Sequence, residues 1–155
     1  MPMSRESKTA GGGAASIRPM KMDLATLRTF FASAPFMVDL GVEPVECAPG
    51  LVSTALALQP RHHQHSGVVH AGVMGAMADH TMGAAAQSMT DQMILTAEFK
   101  LSLLRAARGQ RLECSAIVIK PGRLVMFTEA EVFVLDGTAR TLVAKASATM
   151  AVTAR

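Results

Sequence analysis

One uninterrupted run, from Ala71 to Ser88, constrains this chain more than any other feature. It has no Pro, is rich in the strong helix former Ala and in Met, and places Val73, Ala76, Met77, His80, Ala84 and Gln87 on one face at helical spacing. The remaining faces are also largely apolar, so the run predicts one long helix buried on most sides. After it the pattern is strand: Ile94 to Leu104, Arg111 to Ile119, Leu124 to Leu135 and Thr138 to Val152, separated by Gly109, Pro121-Gly122 and Asp136-Gly137. Asp136-Gly137 between two apolar runs is a hairpin signal. Before the helix, Asp23 can cap a short helix through Leu24, Leu27, Phe30 and Phe31 that Pro35 stops. Val38 to Glu46 and Leu51 to Leu58 then read as strands joined at Pro49-Gly50, with a His-rich loop after Pro60. Residues 1–22 are polar, Gly-rich and unpatterned and are expected to be a flexible tail; residues 23–155 are expected to be the single domain. The order implies an α+β fold in which a mostly antiparallel six-stranded sheet wraps one central helix, with the last four strands forming a meander. One sheet edge would stay open, and a dimer that continues the sheet would satisfy it.

Composition narrows the function. Half of the 155 residues are apolar, but Trp and Tyr are absent and only six Phe occur, so twelve Met read as gap-fillers in an aromatic-poor core. The net charge of +3 is spread along the chain, without the basic stripe and stacking aromatics that nucleic acid needs. A small anionic ligand carrying phosphates fits better. Cys47 and Cys114 have no metal or redox spacing and are expected to be reduced, in strands. No stretch reads as a membrane span or as the apolar part of a signal peptide, so a cytoplasmic location is expected.

The chemistry concentrates between Gln64 and Asp79. There a Gly-containing loop runs into a helix start, whose free amides carry partial positive charge and can hold an oxyanion. Asp79 is the only charged residue between Arg61 and Asp91, in the middle of an otherwise apolar helix. A helical wheel sets it on a stripe with Gly72, Gly75 and Ala86, small residues that would let a ligand or a second chain approach. A carboxylate in such surroundings is either hydrogen-bonded to a neighbouring strand or functional. His62, His63, His65 and His70 match no zinc spacing, and the first three are expected in a solvated loop, so no metal is expected. Neither a Gly-x-Ser-x-Gly elbow nor a Gly-x-Gly-x-x-Gly fingerprint occurs.

His70-Ala71-Gly72 followed by Met77-Ala78-Asp79 resembles the His-Gly-Gly…Asp signature of the hotdog thioesterases related to the phenylacetate-pathway thioesterase, the PaaI-like family. Thr96-Ala97-Glu98-Phe99-Lys100 and Pro121-Gly122-Arg123-Leu124 also look like that family, and the likeness runs from about Leu24 to Thr153. The resemblance implies a hotdog fold and an acyl-coenzyme A thioesterase that needs no metal and no cofactor beyond the coenzyme A of its substrate. It implies an oxyanion amide at Ala71 with Gly72 beside it, a catalytic carboxylate at Asp79, a side-chain amide at Gln64, a loop-shaping His70 and a hydroxyl at Thr96. Ala71 stands where the family has its first Gly, and Gln64 often has Asn in its place. Family members are mostly dimers of dimers, so a homodimer or homotetramer is implied, with the ligand at the dimer interface.

On this reading the Ala71 and Gly72 amides hold the thioester carbonyl, Gln64 orients it or the water, and Asp79 acts as general base or as nucleophile. Lys100, Arg105, Arg108, Lys120 and Arg123 are candidate ligands for the coenzyme A phosphates, each of them equally readable as ordinary solvated charge. The alternative is a hotdog protein that binds acyl-coenzyme A without turnover.

Overall fold

Asp23 caps the first helix. In the computed structural model, which describes residues 22–153, its carboxylate accepts a 2.8 Å hydrogen bond from the Thr26 amide at the start of α1, Leu24–Ala32. The expected tail lies, Met22 apart, outside the described residues. Leu27 and Phe31 form the buried side of α1. Pro35 ends that run but also opens a second helix, α2, Pro35–Leu40. Proline is well suited to a first helical turn, which needs neither its missing N–H nor any φ but its own. Gly41 closes α2 in the left-handed region at φ 85°. Val38 is therefore helical, and the strand expected from Val38 begins only at Val42.

The strands are β1 Val42–Ala48, β2 Leu51–Ala57, β3 Met93–Leu103, β4 Arg111–Lys120, β5 Val125–Asp136 and β6 Ala139–Thr153, and the long helix α3 is Ala71–Gln87. Every pairing is antiparallel, in the order β1-β2-β4-β5-β6-β3. The meander expected of the last four strands holds for β4, β5 and β6 only. β3 pairs with β6 at the far edge, because residues 104–110 form a crossing rather than a hairpin. Three backbone bonds pin that crossing at the helix start: Leu104 N to Val143 O at 2.8 Å, Val69 N to Ala107 O at 3.0 Å and Leu58 N to Gln110 O at 2.8 Å.

α3 lies on the concave face of the sheet. Its buried Ala78, Ala84, Ala85 and Ala86 let the strands come close, while Met77 and Met82 fill the gaps against Val52, Leu56, Leu112, Met126 and Met150. Two polar anchors fix its rotation. Thr81 Oγ1 gives its proton to Met77 O at 2.6 Å and so accepts from Thr54 Oγ1 of β2 at 2.8 Å. Ser88 Oγ accepts from the Gly50 amide at 2.8 Å and donates to Ala85 O at 2.7 Å. Cys114 is buried beside this cluster, and burial pushes its thiol up to about 12, so it stays protonated; both cysteines are free.

This rotation corrects the expected stripe. The helix residues left accessible are Ala71, Gly72, Ala76, Asp79, His80, Gly83 and Gln87, whereas Gly75 and Ala86 are buried. A Cβ on Gly75 would lie 3.6 Å from Leu101 and 3.9 Å from Phe99 of β3. Gly83 instead faces open space, with nothing within 4 Å of a Cβ there. The sheet has two outer strands, β1 and β3. β1 is short, carries Pro44 and a register shift next to it, and packs on α1. β3 is 11 residues long and exposes Met93, Leu95, Phe99 and Leu103.

Candidate active site

The loop before α3 is built on a histidine that is not in solvent. His62, expected in a solvated loop, is 1% exposed. Its Nδ1 accepts from the Gln59 amide at 3.0 Å, which fixes the tautomer so that Nε2 donates to Leu40 O at 2.9 Å. Both ring nitrogens are thus used in joining α2 to the loop. His63 Nδ1 lies 2.9 Å from Gln59 O, and His65 is exposed. Among the described residues no three His, Cys, Asp or Glu side chains converge so as to hold a metal ion.

Gln64 begins a tight turn. Its amide donates to Val68 O and its carbonyl accepts from Gly67, both at 2.9 Å, with Gly67 in the left-handed region at φ 73°. The Gln64 side chain donates to Ser66 Oγ at 2.9 Å. The chain then reaches His70, which caps α3: its Nδ1 accepts from the Gly72 amide at 2.9 Å. A Cβ at Gly72 would sit 3.0 Å from that nitrogen, so glycine is what lets the ring lie over the first turn. The expectation that both amides are free for a carbonyl is therefore corrected. His70 takes the Gly72 N–H, and Ala71, first in the helix, keeps a donor that no earlier turn can accept. Ala71 and Gln64 line a cleft of about 370 Å³ with Met74, Leu103, Leu104 and Arg105.

Asp79 lies further along the same helix. It is half-buried rather than sealed, and its Oδ1 accepts a 2.8 Å hydrogen bond from Thr96 Oγ1 of β3. An irregularity in β3 makes this meeting possible. The register against β6 shifts between Thr96 and Glu98, so Thr96, Phe99 and Leu101, opposite Met150, Ala148 and Ala146, all point to the helix side. In a regular strand Thr96 and Leu101 would face opposite ways. Asp79 and Thr96 line a second cleft, of about 210 Å³, with Phe30, His80, Gly83, Gln87 and Ile94. One chain thus joins Asp79 to Thr96, and Gln64 to Ala71, in two separate clefts. Ala71 and Asp79 are eight residues apart on the helix, which is about 12 Å of rise.

His80 is a member of this site that sequence reasoning treated only as part of a helix face. Its ring stacks on Phe30 at 5.5 Å and meets Phe31 edge-on at 4.6 Å. Nε2 is buried with no partner among the described residues. Burial lowers its pKa below the usual 6.5, against an opposing pull from the Asp79 charge. Burial likewise lowers that of His62, against the raising effect of its bond to Leu40. Unfolded histidine titrates near 6.5, so in the window below that value the unfolded state binds more protons than the folded one. Stability is then fully present above about pH 6.5 and is lost as the pH falls towards the folded values. Thermal unfolding followed by circular dichroism is expected to give a level Tm above pH 7 and a decline from pH 6.5 to 5, made shallower by His80→Phe. An unchanged slope in that variant would remove His80 from this account.

The candidate phosphate ligands are dispersed. Arg105 lines the Gln64–Ala71 cleft and donates to Leu142 O at 3.0 Å, and Arg108 donates to Gly67 O at 3.3 Å. Lys100 is on the outer face of the sheet in a groove with Lys145 and Glu131. Lys120 and Arg123 flank the β4–β5 turn, at the other end of the strands from Arg105.

A family model described as the thioesterase superfamily matches residues 66–141, from the loop before α3 to the β5–β6 hairpin. A thioesterase family protein from Silicibacter pomeroyi is 30% identical, with 83% of this chain and 96% of that one covered and a TM-score of 0.81. The chain belongs to the thioesterase superfamily. A conserved protein from Pseudomonas aeruginosa is 31% identical over 81% of this chain and 98% of its own, at a TM-score of 0.73. A phenylacetic acid degradation-related protein from Ralstonia eutropha is 26% identical over 77% and 90%, at a TM-score of 0.69. No curated protein matches the chain. This thioesterase superfamily member has the α+β hotdog fold, its central helix held by a six-stranded antiparallel sheet, and no helix among the described residues is long and apolar enough to cross a membrane.

Proposed function

We propose that the chain is an acyl-coenzyme A thioesterase of the cytoplasm that hydrolyses its substrate to a free acid and coenzyme A, in a site shared between two copies. The observation that carries this reading is the separation of the two clefts: the free Ala71 amide and Gln64 in one, the Asp79–Thr96 pair in the other. An oxyanion donor must lie ~3 Å from the carbonyl oxygen, so one helix cannot bring both groups to one thioester. A two-fold axis that sets Ala71 of one helix beside Asp79 of another passes level with Gly75, halfway between them. Gly75 packs on Phe99 and Leu101, so the same axis also pairs β3 with its copy and covers its exposed apolar residues. One operation then closes the open edge and completes the site.

In that site the Ala71 N–H, at the positive end of α3, donates to the carbonyl oxygen as negative charge grows there. Gln64 orients the reacting group. Asp79, held by Thr96, takes a proton from water as it attacks, or attacks the carbonyl itself and leaves an anhydride for water to open. The thiolate of coenzyme A leaves in either case. Arg105 and Arg108 are the cations nearest the Ala71 cleft and are assigned to the phosphates. The alternative, a protein that binds acyl-coenzyme A without turnover, gives no reason for a carboxylate to line the apolar cleft. Release of free thiol from acetyl-, octanoyl-, hexadecanoyl- and benzoyl-coenzyme A tests the choice, and no release from any would leave binding alone. Hydrolysis is expected to be unchanged by a chelator. Loss in EDTA with recovery on adding zinc would restore the histidines as ligands.

A further inference from the structure

Gly83 has no evident structural reason to be glycine. It stands inside α3, where glycine is less favourable than alanine. Its φ is not positive, and a Cβ there would meet nothing within 4 Å. Neither backbone conformation nor packing demands it, so its effect is the space it leaves. That space is the cleft running from the Asp79 carboxylate past Gly83 to Gln87. Gln87 closes the far end with its polar atoms turned elsewhere: Nε2 donates to Thr90 O at 2.9 Å and Gln92 O at 2.8 Å, and Oε1 accepts from the Ile94 amide at 3.3 Å. Phe30, held in place by its stacking on His80, and Ile94 form apolar walls.

We infer that this cleft receives the acyl chain of the thioester, and that Gly83 and Phe30 make it selective for an unbranched acyl group of medium length. The inference rests on the proposed thioesterase reading, which puts the reacting carbonyl at Asp79. From Asp79 to Gln87 is eight residues, about 12 Å of helix. The cleft, of about 210 Å³, follows that length between Phe30 and Ile94 and is stopped by Gln87, which suits an extended chain. An acetyl group would leave most of it empty, and a hexadecanoyl chain would overrun the Gln87 end.

The test measures, by titration calorimetry, the affinity of non-hydrolysable thioether analogues of acetyl-, octanoyl-, hexadecanoyl- and benzoyl-coenzyme A for the full chain and for Gly83→Leu. Leucine is a better helix former than glycine and faces open space, so the variant should fold, and its Tm is checked alongside. The wild type is expected to bind the octanoyl analogue most tightly. Gly83→Leu is expected to lower the ratio of octanoyl to acetyl affinity by about thirty-fold, the loss of two or three buried methylenes, and Phe30→Ala to shift the preference towards the hexadecanoyl analogue. An unchanged ratio in Gly83→Leu, a preference for the benzoyl ring, or no binding of the octanoyl analogue overturns the inference. Because binding needs no turnover, the two readings fail separately. Chain-length-dependent binding without hydrolysis keeps the receptacle and removes the thioesterase, and hydrolysis with a length profile that Gly83→Leu leaves unchanged does the opposite.

Discussion

Asp79→Asn is expected to abolish hydrolysis while leaving affinity for the substrate nearly intact. Asparagine has the same shape and keeps an oxygen where Oδ1 accepts from Thr96 Oγ1 at 2.8 Å, so the side chain stays in place and no cavity opens. What disappears is the negative charge. Without it residue 79 can neither draw a proton from water nor attack a carbonyl, and loss of such a group typically lowers the rate by about 10²–10⁴-fold. The loss should fall on kcat, because the group acts as the transition state forms and contributes little to ground-state binding. Steady-state hydrolysis, paired with calorimetric affinity for a thioether analogue, separates the two effects. Wild-type turnover in the variant would remove Asp79 from the mechanism. A fall in affinity equal to the fall in rate would make it a binding residue instead.

The elements with a strong local signal were legible in the sequence. The long helix and the strands β2, β4, β5 and β6 lie within a residue or two of their expected bounds, because apolar patterning, Pro49-Gly50 and Asp136-Gly137 each act over a few residues. What the sequence left hidden depends on contacts between distant parts. α2 was hidden because Pro35 reads equally as a helix stop and a helix start, and only Gly41 decides between them. The place of β3 at the edge was hidden because Gly109 breaks the pattern in the same way whether residues 104–110 make a hairpin or a crossing. The face of α3 that stays open is set by the Thr54–Thr81 and Ser88–Gly50 bonds, which no helical wheel contains, so a wheel sets Gly75 and Ala86 on the open stripe and does not mark Gly83. Asp79 itself stood out as a lone charge in an apolar run. His80 did not, since a histidine on a helix face carries no mark of the Phe30 and Phe31 rings that come to enclose it.

Two inactive variants are expected to restore each other. Gln64→Ala removes a half-buried side chain whose hydrogen bond is to Ser66 within its own turn, and Asp79→Ala removes the carboxylate; both should fold. If a site takes Gln64 and Ala71 from one chain and Asp79 and Thr96 from the other, each homodimer of either variant has two damaged sites. A mixed dimer differs, because both defects fall in one site and the second site receives wild-type Gln64 and wild-type Asp79. When equal amounts are unfolded and refolded together, random pairing makes about half of the dimers mixed, each with one intact site of two. About a quarter of wild-type activity should therefore return under two-fold symmetry. The geometry makes the result sharp. Within one chain the two clefts are separated by two turns of α3, about 12 Å, and that rigid element offers no hinge to bring Asp79 to the Ala71 amide. Differently tagged chains, captured through both tags, give the mixed species directly and remove any doubt about exchange. Tag-captured mixed dimers with no activity would place both halves of the site in one chain and refute the shared arrangement.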